Sequence, residues 1–336
     1  MRFSLTKEQS QLRDGVRRLL DVECTPDTVR AAWEGRSGST PEPVAKLWSQ
    51  LSEMGVLAAA LPESADGLAL GAVDLVPLWE EAGRAAVPVP LMETAFVAGP
   101  LLAAAGHEGL VRQLGDGELL VACALDGSEF VPFGQRADLI LLCDDARRGA
   151  PVRLVSDPEA IAVASIDHAR ALARMRDRTA GHQLAVGAEE ITAAWLRGVL
   201  GCSAQLIGLS RHLLEMTSAY VTERHQFGVP IGSFQALKHQ LADALMAIEF
   251  AAPAVLRAAW SIDQRVATTE RDVAMAKALA SEAAERVAGI ALQCHGAIAY
   301  TTDYDLHLYA KRIWSSVRSW GSAEAQRAIV ADAIGL

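Results

Sequence analysis

The hydrophobic period of this 336-residue chain changes twice, and those two changes leave little freedom in the fold. Up to the stretch "LGDGE" apolar residues recur every three or four positions, as on one face of a helix. Short apolar runs then follow, "LLVACAL", "DLILLC", "VRLV" and "AIAVA", separated by Asp, Gly and Pro clusters. That is the pattern of brief strands joined by turns. From residue 187 helical spacing returns and lasts to the end. The spacing predicts a mainly α chain with a small β domain: an all-helical N-terminal domain over 1–116, a reduced middle β domain over 117–186, and a C-terminal helical bundle over 187–336.

Local signals agree with this division. Thr6-Lys7-Glu8-Gln9 is a capping-box sequence, and Leu12, Val16, Leu19 and Leu20 follow on one face. Thr40-Pro41 reads as a cap followed by proline at the first helical position, introducing Val44, Leu47, Trp48 and Leu51 before a stop at Gly55. Two more apolar helical segments fall near 72–83 and 94–105. In the bundle, three faces stand out: Leu206 to Tyr220; Leu237, Leu241, Leu245, Ile248, Ala252 and Val255; and Val273 to Ala291.

Composition narrows the partners. A net charge of −10 weighs against nucleic acid and anionic lipid surfaces. Cys24, Cys123, Cys143, Cys202 and Cys294 are widely spaced, with no CxxC pair, and read as reduced, mostly buried thiols with no metal site. The start lacks the apolar stretch of a signal peptide, and no uninterrupted apolar run reaches the roughly 20 residues that span a bilayer. The expectation is a cytoplasmic protein with no nucleic-acid and no membrane partner.

Chemistry concentrates in "ERHQFGVPIGSFQALKHQLAD", residues 223–243. Gly228, Pro230 and Gly232 break the helix, Ser233 is placed to cap the next one, and Arg224 could reach an anionic group. This stretch resembles the acyl-CoA dehydrogenase family, whose Arg-x-x-Phe-Gly-x-x-Ile-x-x-Phe-Gln pattern is matched by Arg224, Phe227, Gly228, Ile231, Phe234 and Gln235. The resemblance extends to "FSLTKEQSQLRDGVRRLL", to "LWSQLSEMGVLAAALPESADGLALGAVDLVPLWEEAGRA" and to "LQCHGAIAYTTDYDLHLYAKR".

That resemblance implies FAD shared across a subunit interface. Arg224, Phe227, Phe234 and Gln235 would contact the adenosine diphosphate portion of a flavin bound mainly to a neighbouring chain, and Gln293, His295 and Gly296 another portion. It also implies α,β-dehydrogenation of an acyl-CoA thioester, in which a carboxylate removes the α-proton as a hydride leaves for the flavin.

The carboxylate is missing. The family's Tyr-Glu-Gly-Thr stretch before Gln-Arg, aligned on Gly321, Gln326 and Arg327, has Trp320 at the position of the Glu base, and an indole accepts no proton there. The second place for the base, on the first bundle helix, is empty too: Ile191 to Leu214 contains no Asp or Glu. Glu223 reads as a solvated helix charge, Asp303 and Asp305 as cap or turn residues, and Glu324 is a weak substitute. Gly-Gly-x-Gly becomes Gly296-Ala297-Ile298-Ala299, each added methyl narrowing the backbone approach to a dinucleotide, and "LLVACALDGSEFVPFG" lacks the Thr-Glu-Pro loop that covers the flavin ring.

Of the histidines, His295 reads as structural or FAD-adjacent, and His225, His239 and His307 as exposed helix residues. Cys294 beside His295 has no third orienting group, which weighs against a Cys-His hydrolase.

These departures imply the base-less subunit of a heteromeric acyl-CoA dehydrogenase of the actinobacterial type. A second acyl-CoA dehydrogenase subunit would supply the base in a heterotetramer; the substrate would be a bulky, steroid side-chain-like acyl-CoA, and an electron-transfer acceptor would take the electrons. The alternatives are a homotetrameric enzyme with an unusual base, and a non-catalytic scaffold that kept the fold.

Overall fold

The computed structural model describes residues 3–35 and 39–336. The first helices are α1 (Lys7–Glu23), α2 (Pro26–Glu34), α3 (Glu42–Glu53), α4 (Ala72–Arg84), α5 (Gly99–Ala104) and α6 (Glu108–Gly115). The capping box of α1 forms as expected: Gln9 N–H donates to Thr6 Oγ1 at 3.2 Å, and Thr6 N–H donates to Gln9 Oε1 at 2.9 Å. In α3 the cap falls one residue later than the sequence suggests, on Pro41 rather than Thr40, with no side-chain bond. A π-helical turn, Glu93–Ala98, leads into α5 and is wholly buried.

Seven short strands follow: β1 (Val121–Ala124), β2 (Phe130–Val131), β3 (Leu139–Leu142), β4 (Arg153–Ser156), β5 (Ala160–Ala162), β6 (Ala173–Met175) and β7 (His182–Gln183). They form two small sheets, ordered β1-β3-β4-β7 and β2-β6-β5, with β1 and β3 parallel and the other pairs antiparallel. Thr94 fastens the first sheet to the helices, because its hydroxyl donates to Val121 O and accepts from Val121 N–H, both at 3.0 Å.

The remaining chain is α7 (Ala188–Glu223), a hairpin of β8 (His225–Gln226) and β9 (Val229–Pro230), then α8 (Gln235–Gln264), α9 (Thr269–His295), α10 (Leu306–Ser316) and α11 (Ala323–Ile334). Helix α7 is central: α4, α8, α9 and α10 all pack on it. It approaches α4 so closely at Gly208 that an added Cβ would lie 1.8 Å from Glu80 O. The predicted face of α9, Val273 to Ala291, is buried.

The predicted face of α8 is buried only in part. Ile248, Ala252 and Val255 are covered, whereas Leu245 is exposed and joins Met246 and Phe250 in an uncovered apolar strip. By length and composition alone α8 is long and apolar enough to cross a membrane. Here it packs along α7 and α9. Its N-cap is Phe234, not Ser233, whose hydroxyl instead donates to Pro230 O at 2.7 Å.

Candidate functional site

The hairpin β8–β9 turns through Phe227 and Gly228, both at positive φ (53° and 81°). Two central residues with positive φ make the type I′ connection whose twist suits a two-residue hairpin. Glycine takes that conformation freely, but a phenylalanine there is strained by about 1–2 kcal/mol. Nothing inside the chain compensates, since Phe227 is 89% exposed. Its ring meets Phe234, edge-on at 6.1 Å, itself exposed. Arg224 caps the end of α7, and Gln235 opens α8; both are exposed. Backbone strain spent on an uncovered aromatic ring beside a free guanidinium suits a ligand that is partly aromatic and partly anionic.

The end of α9 lies beside this turn, with Tyr220 of α7 stacked on His295 at 4.2 Å and 22°. His295 Nδ1 is 2.8 Å from Ala291 O. A carbonyl only accepts, so that nitrogen carries the proton and Nε2 presents a lone pair. Nε2 is buried without a partner, and burial lowers the pKa of the ring, favouring the neutral form. Gly296, at φ 65°, has open space where a Cβ would stand, and Gln293 is exposed. Of the two alanines that replace family glycines, only Ala297 is exposed. The Ala299 methyl is buried in the core, so it does not narrow the approach in the way the sequence suggests. Cys294 Sγ points to Gln240 at 3.8 Å, and no Cys-His pair forms.

A second locus is a cavity of about 330 Å³ between the end of β1 and the turn joining α10 to α11. Its walls include Leu125, Asp126, Ser128, Arg170, Trp314 and Trp320. Trp320 is 6% exposed and sits at φ 59°. A Cβ built on Gly198 of α7 would lie 2.3–2.5 Å from three carbons of the indole. The ring therefore lies against the only kind of residue that can receive it. The resemblance puts one base at position 320, which holds an indole, and the other on α7, where Ile191 to Leu214 holds no carboxylate.

The turn carrying Trp320 is held from several elements. Lys277 of α9 donates to Val317 O at 3.3 Å, Cys202 of α7 to Ser316 O at 3.4 Å, and Arg170 to Ser319 Oγ at 3.0 Å. Gln326 of α11 donates to Trp320 O at 2.7 Å. Arg312 pairs with the buried Asp167 and donates to Val87 O at 2.9 Å.

Sequence reasoning missed this scaffold. Lys277 is wholly buried, with Ser281 Oγ as its other acceptor at 2.9 Å, and burial lowers its pKa. Glu93, in the π-helical turn, is also buried; desolvation raises its pKa, against the pull of Arg170. It does not line the cavity, so it is not a base at this site. The signal was a lone Glu in "VPLMETAFVAG", but its partner is 77 residues away. His307 corrects the expectation of an exposed helix residue: it is buried, against Trp33 at 5.1 Å. His225 and His239 are exposed, though His225 lies in the hairpin. All five cysteines are buried.

The residues fit the adenosine diphosphate end of FAD better than its reactive ring. An exposed Arg-Phe-Phe group, an open glycine and an orphaned imidazole nitrogen converge at one end of the bundle. The cavity at the other locus is small and contains no carboxylate aligned with either family base.

Comparison with known proteins accounts for this combination. Residues 6–114 match the acyl-CoA dehydrogenase N-terminal domain and residues 187–335 the C-terminal domain. Acyl-CoA dehydrogenase IpdE2 of Mycobacterium tuberculosis is 34% identical over 314 residues, covering 93% of this chain and 92% of its own length. Among solved structures, the ChsE4-ChsE5 complex from Mycobacterium tuberculosis matches with a TM-score of 0.88 at 24% identity, covering 100% of this chain and 99% of that chain. The Tcur3481-Tcur3483 steroid ACAD gives 0.85 at 25% identity, covering 98% of both chains. PigA with FAD and proline gives 0.84 at 20% identity, with both chains covered in full. On the family matches and the near full-length relative, the chain belongs to the acyl-CoA dehydrogenases, a family of oxidoreductases.

Proposed function

We propose that this chain is the base-less subunit of a heteromeric acyl-CoA dehydrogenase that desaturates a bulky, steroid side-chain-like acyl-CoA at the α,β position. The observation that carries this reading is the Trp320 indole, which stands where the resemblance puts the Glu base and is seated on α7, a helix with no Asp or Glu from Ile191 to Leu214. Relatives add support, since one neighbour is a ChsE4-ChsE5 complex and another is described as a steroid ACAD.

In this reading residues 187–336 carry the cofactor contacts and the assembly surface. FAD seated chiefly in the partner would supply the hydride acceptor. Arg224 would neutralise its pyrophosphate with charge-assisted bonds, and Phe227 and Phe234 would cover its adenine. Gln235 and Gln293 would donate from the flanking helices, Gly296 would admit the cofactor against the backbone, and His295 Nε2 would accept from a hydroxyl or N–H group. The uncovered strip of Leu245, Met246 and Phe250 is apolar surface available to another subunit. The α-proton would pass to a carboxylate of the partner, and the electrons to an external electron-transfer acceptor. The compartment we propose is the cytoplasm.

The test is co-expression with the adjacent dehydrogenase gene, followed by flavin counting per assembly. The expected result is about half as many flavins as chains, with the chain alone colourless. One flavin per chain with turnover by this protein alone would overturn the proposal, as would a complex that never binds flavin. Arg224→Ala is expected to weaken flavin binding in the assembly about tenfold, from loss of a charged hydrogen bond of about 1.5–3 kcal/mol.

A further inference from the structure

The largest of the clefts described here has no part in the proposed chemistry. It measures about 840 Å³ and lies between α5, the start of α7 and the turn from α8 to α9. It shares no lining residue with the cavity at Trp320. We infer that this cleft binds an amphipathic carboxylate, with its head on Arg197 and Arg265 and its apolar chain against Phe96, Leu196 and Ile262.

Charge placement supports the anion. Arg197 is half-buried on α7 and lines the cleft, and its guanidinium makes no hydrogen bond or ion pair among the described residues. A half-buried guanidinium with no internal counter-ion is stabilised by an anion bound in the cleft it faces. Burial and the neighbouring Arg265 depress its pKa to about 10, against the attraction of Asp263. Asp263 is already engaged elsewhere. It caps α4 from the end of α8, accepting from Ala72 N–H at 2.7 Å and Val73 N–H at 3.0 Å, where Gly71 offers no side chain. Arg265 stands at the mouth, held at φ 48° where α8 ends.

The remaining lining selects the rest of the ligand. Leu70, Pro100 and Val266 extend the apolar wall, and the volume lies within the roughly 300–1,000 Å³ typical of small-molecule sites. Glu189 and Glu190 are exposed in the first turn of α7, at the rim. Together with Asp263 they repel a dianion more strongly than a monoanion, and a carboxylate carries a single charge. A planar guanidinium also suits a carboxylate in bidentate geometry.

Isothermal titration of the full chain with decanoate tests this, with decanol and inorganic phosphate as comparison probes. The expected result is saturable binding of one decanoate per chain, at least about tenfold weaker for decanol and for phosphate. Arg197→Met is expected to weaken binding about tenfold or more, the worth of a charged hydrogen bond. Arg265→Ala, at an exposed position, should weaken it several-fold. Ala193→Phe, which fills the cleft from α7, should abolish it. If Arg197→Met fails to fold, the last two variants carry the test. Absence of saturable decanoate binding, equal binding of decanol, or unchanged binding in both Arg265→Ala and Ala193→Phe overturns the inference. Trp320→Gly should leave binding unchanged; a large change there would move the ligand to the other cavity and overturn it as well.

Discussion

Adding one methyl group at Gly198 is expected to change the sign of its effect according to what stands at position 320. In the native chain the new Cβ would lie 2.3 Å from Cζ3 of Trp320, far inside van der Waals contact, so the ring must shift toward the cavity it lines. Overpacking of this kind costs about 1–3 kcal/mol. In a Trp320→Gly background the obstacle is gone, and alanine in a helix interior is better than glycine by about 1 kcal/mol. Gly198→Ala should therefore destabilise the native chain and stabilise the Trp320→Gly chain, a coupling of about 2–4 kcal/mol. Trp320→Gly itself should cost less than Trp320→Ala. Truncating a buried tryptophan costs about 3–5 kcal/mol, and glycine recovers roughly 1 of that at φ 59°. The assay is urea unfolding of the four chains, followed by far-UV circular dichroism and analysed as a double-mutant cycle. Gly198→Ala effects of the same sign and size in both backgrounds would refute the packing argument.

Three further outcomes follow from the same structure. Trp320→Glu should leave turnover of acyl-CoA by the chain alone at least about a hundredfold below a family member, because a carboxylate needs a ring and a substrate held against it; flavin bleaching measures this, and brisk turnover would refute it. Asp167→Asn removes the buried partner of Arg312 and should cost about 3–5 kcal/mol in urea unfolding, with a smaller loss meaning that the pair is not desolvated. His212 is pushed from 6.5 down to about 4, first by burial and then by Arg84. Between those pH values the unfolded state binds the extra proton, so stability is full above 6.5 and falls toward 4 by about 2–3 kcal/mol. His212→Phe should flatten that limb of the pH profile, and an unchanged slope would count against the assignment.

The order of helices, strands and helices was legible because hydrophobic period is a local property, present in any window of a dozen residues. The shortest strands were not. β2 and β7 span two residues each, too few to show alternation, and are defined by their partners across the sheet. Long-range facts escaped for the same reason. Leu245 fits its helical face in sequence, yet it stays uncovered because no neighbouring helix reaches it. His307 looks like a surface residue of a polar stretch and is buried by Trp33, from a distant helix. At the β8–β9 hairpin, Arg224 and Phe227 were singled out by spacing and resemblance, but the positive φ of Phe227 could be read only from the structure. At the second locus Trp320 was conspicuous. Its counterpart was not, because nothing in "LRGVLG" distinguishes Gly198 from an ordinary helical glycine.

The contact between those two residues also bears on how such a chain can change over generations. Any side chain at position 198 collides with the indole, so a carboxylate cannot enter the helix there while the tryptophan stays. A carboxylate at position 320 would inherit a left-handed backbone and an unfilled space above the glycine. A single change at either position is penalised by the state of the other. The two positions are therefore expected to change together, a larger residue entering the helix only once the indole has gone.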